Sequence, residues 1–210
     1  MRIKAIIICA SAALAVGCVN NRKAEQFTAL PFPDAMPPAM IQDSKDLAEY
    51  MAFHWWDGIT DPSRNYPSDT LLVSGVKRQD IEQKFANWTS VLNMVDISYA
   101  RKSVVRLYDR ALACERKDSS SNVFETFKDL VEKYLYDPNS PLRNEDHYSA
   151  YAERLSGCDL VDTLLQKKYA RQVSLAALNR IGCKAADFRF MDSRGKVHSL
   201  YGIKSELTLL

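Results

Sequence analysis

Apolar residues recur at helical spacing over much of this 210-residue chain. The spacing is clearest between residues 81 and 95, where apolar side chains step alternately by four and three positions. A helix has about 3.6 residues per turn, so this step keeps the apolar side chains on one face that can pack against a core. The members of the stripe are Ile81, Phe85, Trp88, Leu92 and Val95. The pattern predicts a mainly α protein whose helices pack into a bundle.

Helix-start and helix-stop residues divide residues 41–181 into six predicted helices. The first begins behind Asp43 or Ser44 as its N-cap, with Leu47 as the first residue of its apolar stripe. It ends in a long connection, residues 57–76, that is interrupted by glycines and prolines. A loop of this length inside a compact domain is uncommon and often functional.

Caps and prolines bound the later helices. Asn122, followed by Glu125 three residues on, forms a capping-box pattern at the start of the fourth helix. Prolines within residues 137–141 end that helix, because proline cannot continue a helix and disfavours helical geometry in the residue before it. The third, fifth and sixth helices are expected over about residues 98–115, 144–157 and 159–179. The apolar stripe predicted for the third helix contains Ala100, Val104, Leu107, Tyr108 and Ala111.

The sequence changes character after residue 182. Two strand-like runs, residues 188–191 and 197–201, are joined by a turn that contains Gly195, and this pattern predicts a β-hairpin. A third apolar run, residues 207–210, is typical of the start of another strand. An apolar strand without a partner tends to associate. We therefore expect either that the chain is truncated within a domain or that these residues dock on the helices.

The first seventeen residues have the form of a signal peptide. Arg2 and Lys4 precede an apolar run at residues 5–16, and small residues follow. This run is shorter than the roughly 20 residues that a membrane-spanning helix needs. We expect residues 1–17 to be removed.

Cys18 is the expected lipidation site. The stretch Leu14-Ala15-Val16-Gly17-Cys18 resembles a bacterial lipobox, in which the cysteine becomes the lipidated first residue. Ordinary cleavage after Gly17 is the alternative, because Ala15-Val16-Gly17 also has the small-x-small form. With lipid attached, the proline-containing residues 18–40 would form an extended tether, and a membrane would be the partner of the anchor.

The charge balance excludes several function classes. The chain has 28 basic and 26 acidic residues, and removal of Arg2 and Lys4 leaves 26 of each. Such a neutral chain predicts no nucleic-acid partner. The seven glycines are scattered, so no glycine-rich phosphate loop is present and we expect no nucleotide cofactor.

Cysteine and histidine usage points to no catalytic or metal site. Cys9 lies in the signal peptide, and Cys18 would carry lipid. The remaining cysteines are Cys114, Cys158 and Cys183. They fit one disulfide with a free thiol, or three small buried thiols. The histidines are isolated, and the chain contains neither C-x-x-C nor G-x-S-x-G.

A run of four residues is the candidate surface for a ligand or a partner. His54, Trp55, Trp56 and Asp57 place aromatic rings, an imidazole and a carboxylate at a helix end beside the long loop. Such a cluster could hold a peptide or a glycan. The same aromatic rings could instead be buried, since large rings dominate core packing.

Two stretches resemble a known pair of domains. The first, Tyr134-Leu-Tyr-Asp-Pro-Asn-Ser-Pro-Leu-Arg-Asn-Glu-Asp-His-Tyr148 with His54-Trp-Trp-Asp57 upstream, resembles a helical domain of unknown function. That domain precedes a thioredoxin-like domain in envelope lipoproteins of anaerobic Gram-negative bacteria. The second, Asn179-Arg-Ile-Gly-Cys-Lys-Ala-Ala-Asp-Phe188 followed by Asp192-Ser-Arg-Gly-Lys196, is similar to the start of TlpA/ResA-like thioredoxin domains.

The resemblance implies a division of the chain. Residues 41–181 would form the helical domain, and residues 182–210 would form the incomplete start of a thioredoxin-like α/β domain, with its first hairpin and strand. In that family the redox C-x-x-C follows the first central strand at a helix N-terminus. The sequence ends before that position, and none of its cysteines occupies it.

Two functions are therefore expected. The first is the N-terminal portion of a periplasmic thiol-disulfide interchange lipoprotein, in which this portion lacks the redox site. The second is a non-catalytic envelope lipoprotein that binds a ligand or another envelope protein. Both place the protein in the cell envelope of a Gram-negative bacterium.

Overall fold

The computed structural model describes residues 28–64, 66, 70–180 and 183–205. The predicted signal peptide, the lipidation expected at Cys18 and the strand expected at residues 207–210 lie outside the described residues. The described part contains, in chain order, α1 (Ser44–His54), β1 (Leu72–Val73), β2 (Val76–Lys77), α2 (Arg78–Leu92), α3 (Ile97–Lys117), α4 (Val123–Val131), α5 (Glu145–Ser156), α6 (Thr163–Ala176), β3 (Arg189–Met191) and β4 (Val197–Ser199).

Short polar side chains cap four of the helices. The carboxylate of Asp43 accepts hydrogen bonds from the backbone N–H groups of Lys45 and Asp46, so Asp43 rather than Ser44 is the N-cap of α1. Such a cap satisfies amide groups that have no partner within the helix and contributes about 1 kcal/mol. The corresponding caps of α3, α5 and α6 are Asp96, Asn144 and Asp162.

Asn122 occupies the N-cap position of α4 but does not cap the helix with its side chain. Its amide nitrogen instead donates a hydrogen bond to the carbonyl oxygen of Leu72, at 2.7 Å. The capping box predicted from Asn122 and Glu125 is therefore wrong. The contact ties the start of α4 to β1.

The core is a continuous cluster of buried side chains with α3 at its centre, packed against α1, α4 and α5. The apolar stripe predicted for α3 is its buried face, and that of α2 is its buried face from Ile81 to Leu92. Val95 follows the end of α2 and is only partly buried. Burial of each large side chain contributes about 1.5–3 kcal/mol. Residues of these stripes that are at most 2% exposed are Ile81, Phe85, Trp88, Leu92, Ala100, Val104, Leu107, Tyr108 and Ala111.

The prediction that Leu47 begins the buried face of α1 is wrong. Leu47 is 39% exposed, and the buried residues of this helix are Ala48 and Ala52. These small side chains let the backbone of α1 lie close to α2. The indole N–H of Trp88 donates a hydrogen bond to the carbonyl oxygen of Ala52, at 2.9 Å.

A two-residue turn joins β1 to β2 inside the connection that the sequence predicted to be irregular. Ser74 and Gly75 have φ values of 50° and 81°, the left-handed conformation that tight hairpin turns require. A Cβ atom on Gly75 would stand 2.8 Å from the ring of Tyr66. The backbone N–H of Leu30 donates to the carbonyl oxygen of Gly75, so an upstream segment lies beside this hairpin.

Part of residues 18–40, expected to be a tether, packs against the helices. The ring of Phe32 meets that of Trp56 edge-on at 5.6 Å between centroids. The ammonium group of Lys84 on α2 lies 4.7 Å from the centroid of Phe32 and also pairs with Asp34.

The predicted C-terminal hairpin is present as β3 and β4, which pair antiparallel. Its turn is closed by the carboxylate of Asp192, which accepts hydrogen bonds from the backbone N–H groups of Arg194 and Lys196. The predicted fold class is confirmed: a mainly α body is followed by a short hairpin.

Candidate functional site

The chain turns sharply after α1 and separates the four residues of the candidate surface. The backbone N–H groups of Ile59 and Thr60 both donate to the carbonyl oxygen of Trp56. The hydroxyl of Thr60 donates to the same oxygen at 2.7 Å. This turn leaves Trp56 in the core and Asp57 beside α3.

Trp56 is a core residue, since it is only 3% exposed. Its ring makes edge-on contacts with Phe127 at 4.7 Å and with Trp88 at 5.9 Å between centroids. Trp55 is partly buried and packs against the same core. For the two tryptophans, the interpretation as packing residues is therefore the one that the contacts support.

Asp57 is the centre of a charged cluster. The Nδ1 atom of His54 lies 2.8 Å from its Oδ2 atom. The Nη2 atom of Arg106 donates to both carboxylate oxygens at 2.9 Å. Arg110 donates from Nη2 to the backbone carbonyl oxygen of Asp57 at 2.8 Å, and its Nε atom lies 3.3 Å from Oδ1.

These partners keep Asp57 ionised. Partial burial raises the pKa of Asp57, but hydrogen bonds from Arg106 and His54, together with the positive charge of Arg110, outweigh it. The net pKa lies below the ordinary value of 3.8. Asp57 therefore remains a charged acceptor that fixes cationic groups rather than a base that takes up a proton.

Neighbouring groups hold the side chains that surround Asp57 in place. The imidazole of His54 stacks on the ring of Tyr50 at 4.4 Å. The guanidinium of Arg106 lies 4.5 Å from the ring centroid of Phe53. Arg110 also donates from Nε to the hydroxyl of Thr60 at 2.8 Å. The cluster thus clamps the end of α1 to the middle of α3.

Arg106 and Arg110 also border an open groove of about 660 Å³ along the outer face of α3. Ligand sites commonly have volumes of about 300–1,000 Å³. Phe53 of α1 and Ala150 of α5 lie at its sides, and the other lining residues are Ser98, Arg101, Lys102, Val105 and Asp109. We call this feature the α3 groove.

Sequence reasoning missed both arginines of the clamp. Arg106 and Arg110 stand 49 and 53 residues after Asp57, so no local pattern links them. The available signal was Lys102, Arg106 and Arg110 at intervals of four, which places them on one face of a helix.

The three described cysteines are unpaired. Cys114 and Cys158 are buried, and burial raises the pKa of the Cys114 thiol. Cys183 is exposed. Neither of the two arrangements that the sequence left open is found: these cysteines form no disulfide, and Cys183 is not buried.

Within the described residues, every helix is too short or too polar to cross a membrane. The described His, Cys, Asp and Glu side chains form no group of three or more that could hold a metal ion.

Comparison with known proteins identifies the family. A family model described as "Domain of unknown function (DUF5106)" matches residues 14–179. The chain belongs to the DUF5106 family. The matched range contains the clamp and the α3 groove, so both are features of the DUF5106 region.

One solved structure that is similar to this DUF5106 chain is described as "Crystal structure of a thioredoxin-like protein from Bacteroides caccae ATCC 43185". The two share 28% sequence identity with a TM-score of 0.68 over 85% of this chain. The chain spans 60% of the length of that protein. The predicted resemblance to a helical domain associated with thioredoxin-like proteins is confirmed. A search of the curated proteins finds no match.

Proposed function

We propose that this chain is the N-terminal portion of a thiol-disulfide interchange lipoprotein of the cell envelope, and that its helical body does not carry the redox site. The observation that carries the proposal is the likeness to the thioredoxin-like protein from Bacteroides caccae. That likeness covers most of this chain but little more than half of the other. The proposal assigns the thiol chemistry to a further, thioredoxin-like part.

The C-terminal hairpin supports this assignment. All three residues of β3 are exposed, including Phe190 and Met191, and Val197 on β4 is 60% exposed. A two-stranded hairpin is marginally stable by itself and needs further strands or a helix against its apolar side chains. Additional strands of a thioredoxin-like sheet would supply that cover.

The placement of the cysteines supports the second half of the proposal. Dithiol exchange requires two accessible cysteines that can approach each other, one of them as a thiolate. Cys114 and Cys158 are buried, so the helical body presents no exposed pair among its described residues.

The expected location in the cell envelope follows from the N-terminal sequence. The signal-like residues 1–17 and Cys18 in a lipobox-like setting support lipidation after export. Lipidation would hold the helical body at a membrane surface, facing the periplasm or the exterior.

The intact mass of the native protein, extracted from the membrane fraction of its source, tests this proposal. A mass that exceeds that of the present chain by roughly a hundred residues, with acyl chains on Cys18, is the expected result. A mass equal to residues 18–210 plus acyl chains would overturn it in favour of the second candidate function, a non-catalytic binding lipoprotein. The α3 groove is the observation that favours that candidate.

A further inference from the structure

The α3 groove carries its positive charges in a row. Lys102, Arg106 and Arg110 are separated by four residues each, so they lie on one face of α3 at intervals of about 6 Å along the helix axis. Arg101 stands next to Lys102 in the same lining. The row therefore extends along the groove for about 12 Å instead of gathering at one end.

Arg101, Arg106 and Arg110 are already held in position by contacts with other residues. Arg101 donates from Nη1 to the carbonyl oxygen of Asp146 and to the hydroxyl of Ser149, both at 2.9 Å. Asp57 holds Arg106 and Arg110 from the other side. A ligand that meets fixed side chains loses less conformational entropy on binding than one that must order them.

Donor groups remain for a ligand after these contacts. Among the described residues, neither the Nη1 atom of Arg106 nor that of Arg110 has a hydrogen-bond acceptor, and Lys102 has no ion-pair partner. Asp109, the acidic residue of the lining, is paired with Arg154 at 2.5 Å. Lys102 thus keeps an unpaired charge, while Asp57 balances part of the charge of Arg106 and Arg110, and Glu153 lies 3.6 Å from Arg101. The four cations of the lining outnumber these two carboxylates, so the groove keeps a net positive charge.

The groove also contains apolar surface between and beside the charges. Val105 lies between the basic positions of α3, and Phe53 of α1 borders the groove; both are partly exposed. Apolar contacts of this kind favour a ligand with side chains to bury over a purely ionic one. An open groove with both kinds of surface is suited to acidic side chains, whose methylene groups can contact the apolar surface while their carboxylates meet the cations.

We propose that the α3 groove binds an extended acidic peptide segment of a partner protein. Side chains two residues apart in an extended peptide point to the same side and are separated by about 6.6 Å. That separation matches the interval between Lys102, Arg106 and Arg110, so alternate carboxylates can each meet one cation. A fatty acid has a single carboxylate at one end and would leave the rest of the row unpaired. This inference does not depend on where the redox chemistry of the protein lies.

Fluorescence anisotropy with a defined peptide tests the proposal. The probe is a fluorescein-labelled peptide of alternating glutamate and serine, and the control probe has glutamine in place of every glutamate. We expect the glutamate peptide to bind and the glutamine peptide to bind at least about tenfold more weakly. Raising the salt concentration to about 0.5 M weakens binding of the glutamate peptide, because exposed charges are then screened.

Two charge-reversal variants locate the site. Lys102→Glu is expected to weaken binding of the glutamate peptide about tenfold or more, because it places a carboxylate in the row. Lys167→Glu, an equivalent change at an exposed position on α6, is expected to leave binding within about twofold. Circular dichroism melting curves confirm that both variants are folded.

The remaining outcomes overturn the proposal. No binding of the glutamate peptide by the folded protein would do so, as would equal weakening by both variants. A hexathymidylate oligonucleotide carries several negative charges on a different backbone. If it binds through Lys102 as tightly as the peptide does, the groove is an anion site without preference for a peptide.

Discussion

Asp57 is kept ionised mainly by two arginines that are distant in the sequence. Half-burial of a carboxylate is costly unless cations and hydrogen-bond donors compensate for lost water. Arg106 and Arg110 provide that compensation from α3, and His54 provides it from α1. A local group of four residues therefore becomes a long-range connection between two helices.

Replacement of Asp57 by asparagine tests the strength of this connection. Asp57→Asn keeps the size of the side chain but removes the charge that pairs with Arg106 and Arg110. We expect the free energy of unfolding to fall by about 2 kcal/mol in urea titrations at pH 7. Asp159→Asn is the matched control, because Asp159 pairs with Arg116 at an exposed position. This change should destabilise the protein clearly less than Asp57→Asn does, because solvent screens an exposed pair.

The stability difference between wild type and Asp57→Asn should depend on pH, and the direction of the change follows from the pKa of Asp57. The pKa of Asp57 is lower in the folded protein than its ordinary value of 3.8. Its stabilising effect is therefore complete above that value and is lost as the pH falls through the folded pKa. The stability difference between wild type and Asp57→Asn should shrink below pH 3.8. A difference that stays constant there would show that shape, rather than charge, causes the loss.

Only the local half of the candidate site could be predicted from the sequence. His54 and Asp57 are three residues apart, and the structure joins them by a hydrogen bond. The arginines come from another helix, and pairing between distant helices depends on packing that a single sequence does not encode in any local pattern. Trp56 was predicted with two alternative roles, and its contacts decide for the core.

At the level of helices and strands, burial could be predicted where apolar residues recur at helical spacing, and could not be predicted elsewhere. The helices α2 and α3 each bury one apolar face, so their periodic stripes give the correct residues. α1 buries alanines because close approach to α2 requires small side chains. The strands β1 and β2 have two residues each, which is too short for any alternation to be visible.

Among the residues of the β1–β2 hairpin, Gly75 is the one whose replacement should destabilise the protein most. Gly75→Ala places a side chain at a φ of 81° and against the ring of Tyr66. We expect a loss of about 2 kcal/mol in the free energy of unfolding, measured by urea titration. The cost arises from backbone strain together with displacement of Tyr66.

Gly157→Ala is the matched control for this change. A Cβ atom at position 157 has nothing within 4 Å, and φ there is −113°. We expect its stability to remain within about 0.5 kcal/mol of wild type. Equal losses in the two variants would contradict the role assigned to the turn.

At the scale of the whole molecule, neutral composition conceals an uneven charge distribution. The balanced totals of the sequence predict no polyanion partner, yet the row from Lys102 to Arg110 concentrates positive charge on one face of α3. Totals cannot reveal this arrangement, because it depends on which helix face is left outside the core. The same limit applies to the C-terminal hairpin, whose sequence predicts strands but not what covers them.

Limited proteolysis distinguishes the helical body from the hairpin. In the described part of the chain, β3 and β4 pair with each other and make no extensive contact with any helix. Cleavage requires local unfolding, and a two-stranded hairpin unfolds at little cost. We expect trypsin to cut this chain first at basic residues between positions 180 and 196, leaving a resistant helical fragment on gel and mass analysis. In a longer protein whose further strands cover the hairpin, the same sites should be protected. A hairpin that resists trypsin as long as the helices do in this chain would show that it docks on the helical body.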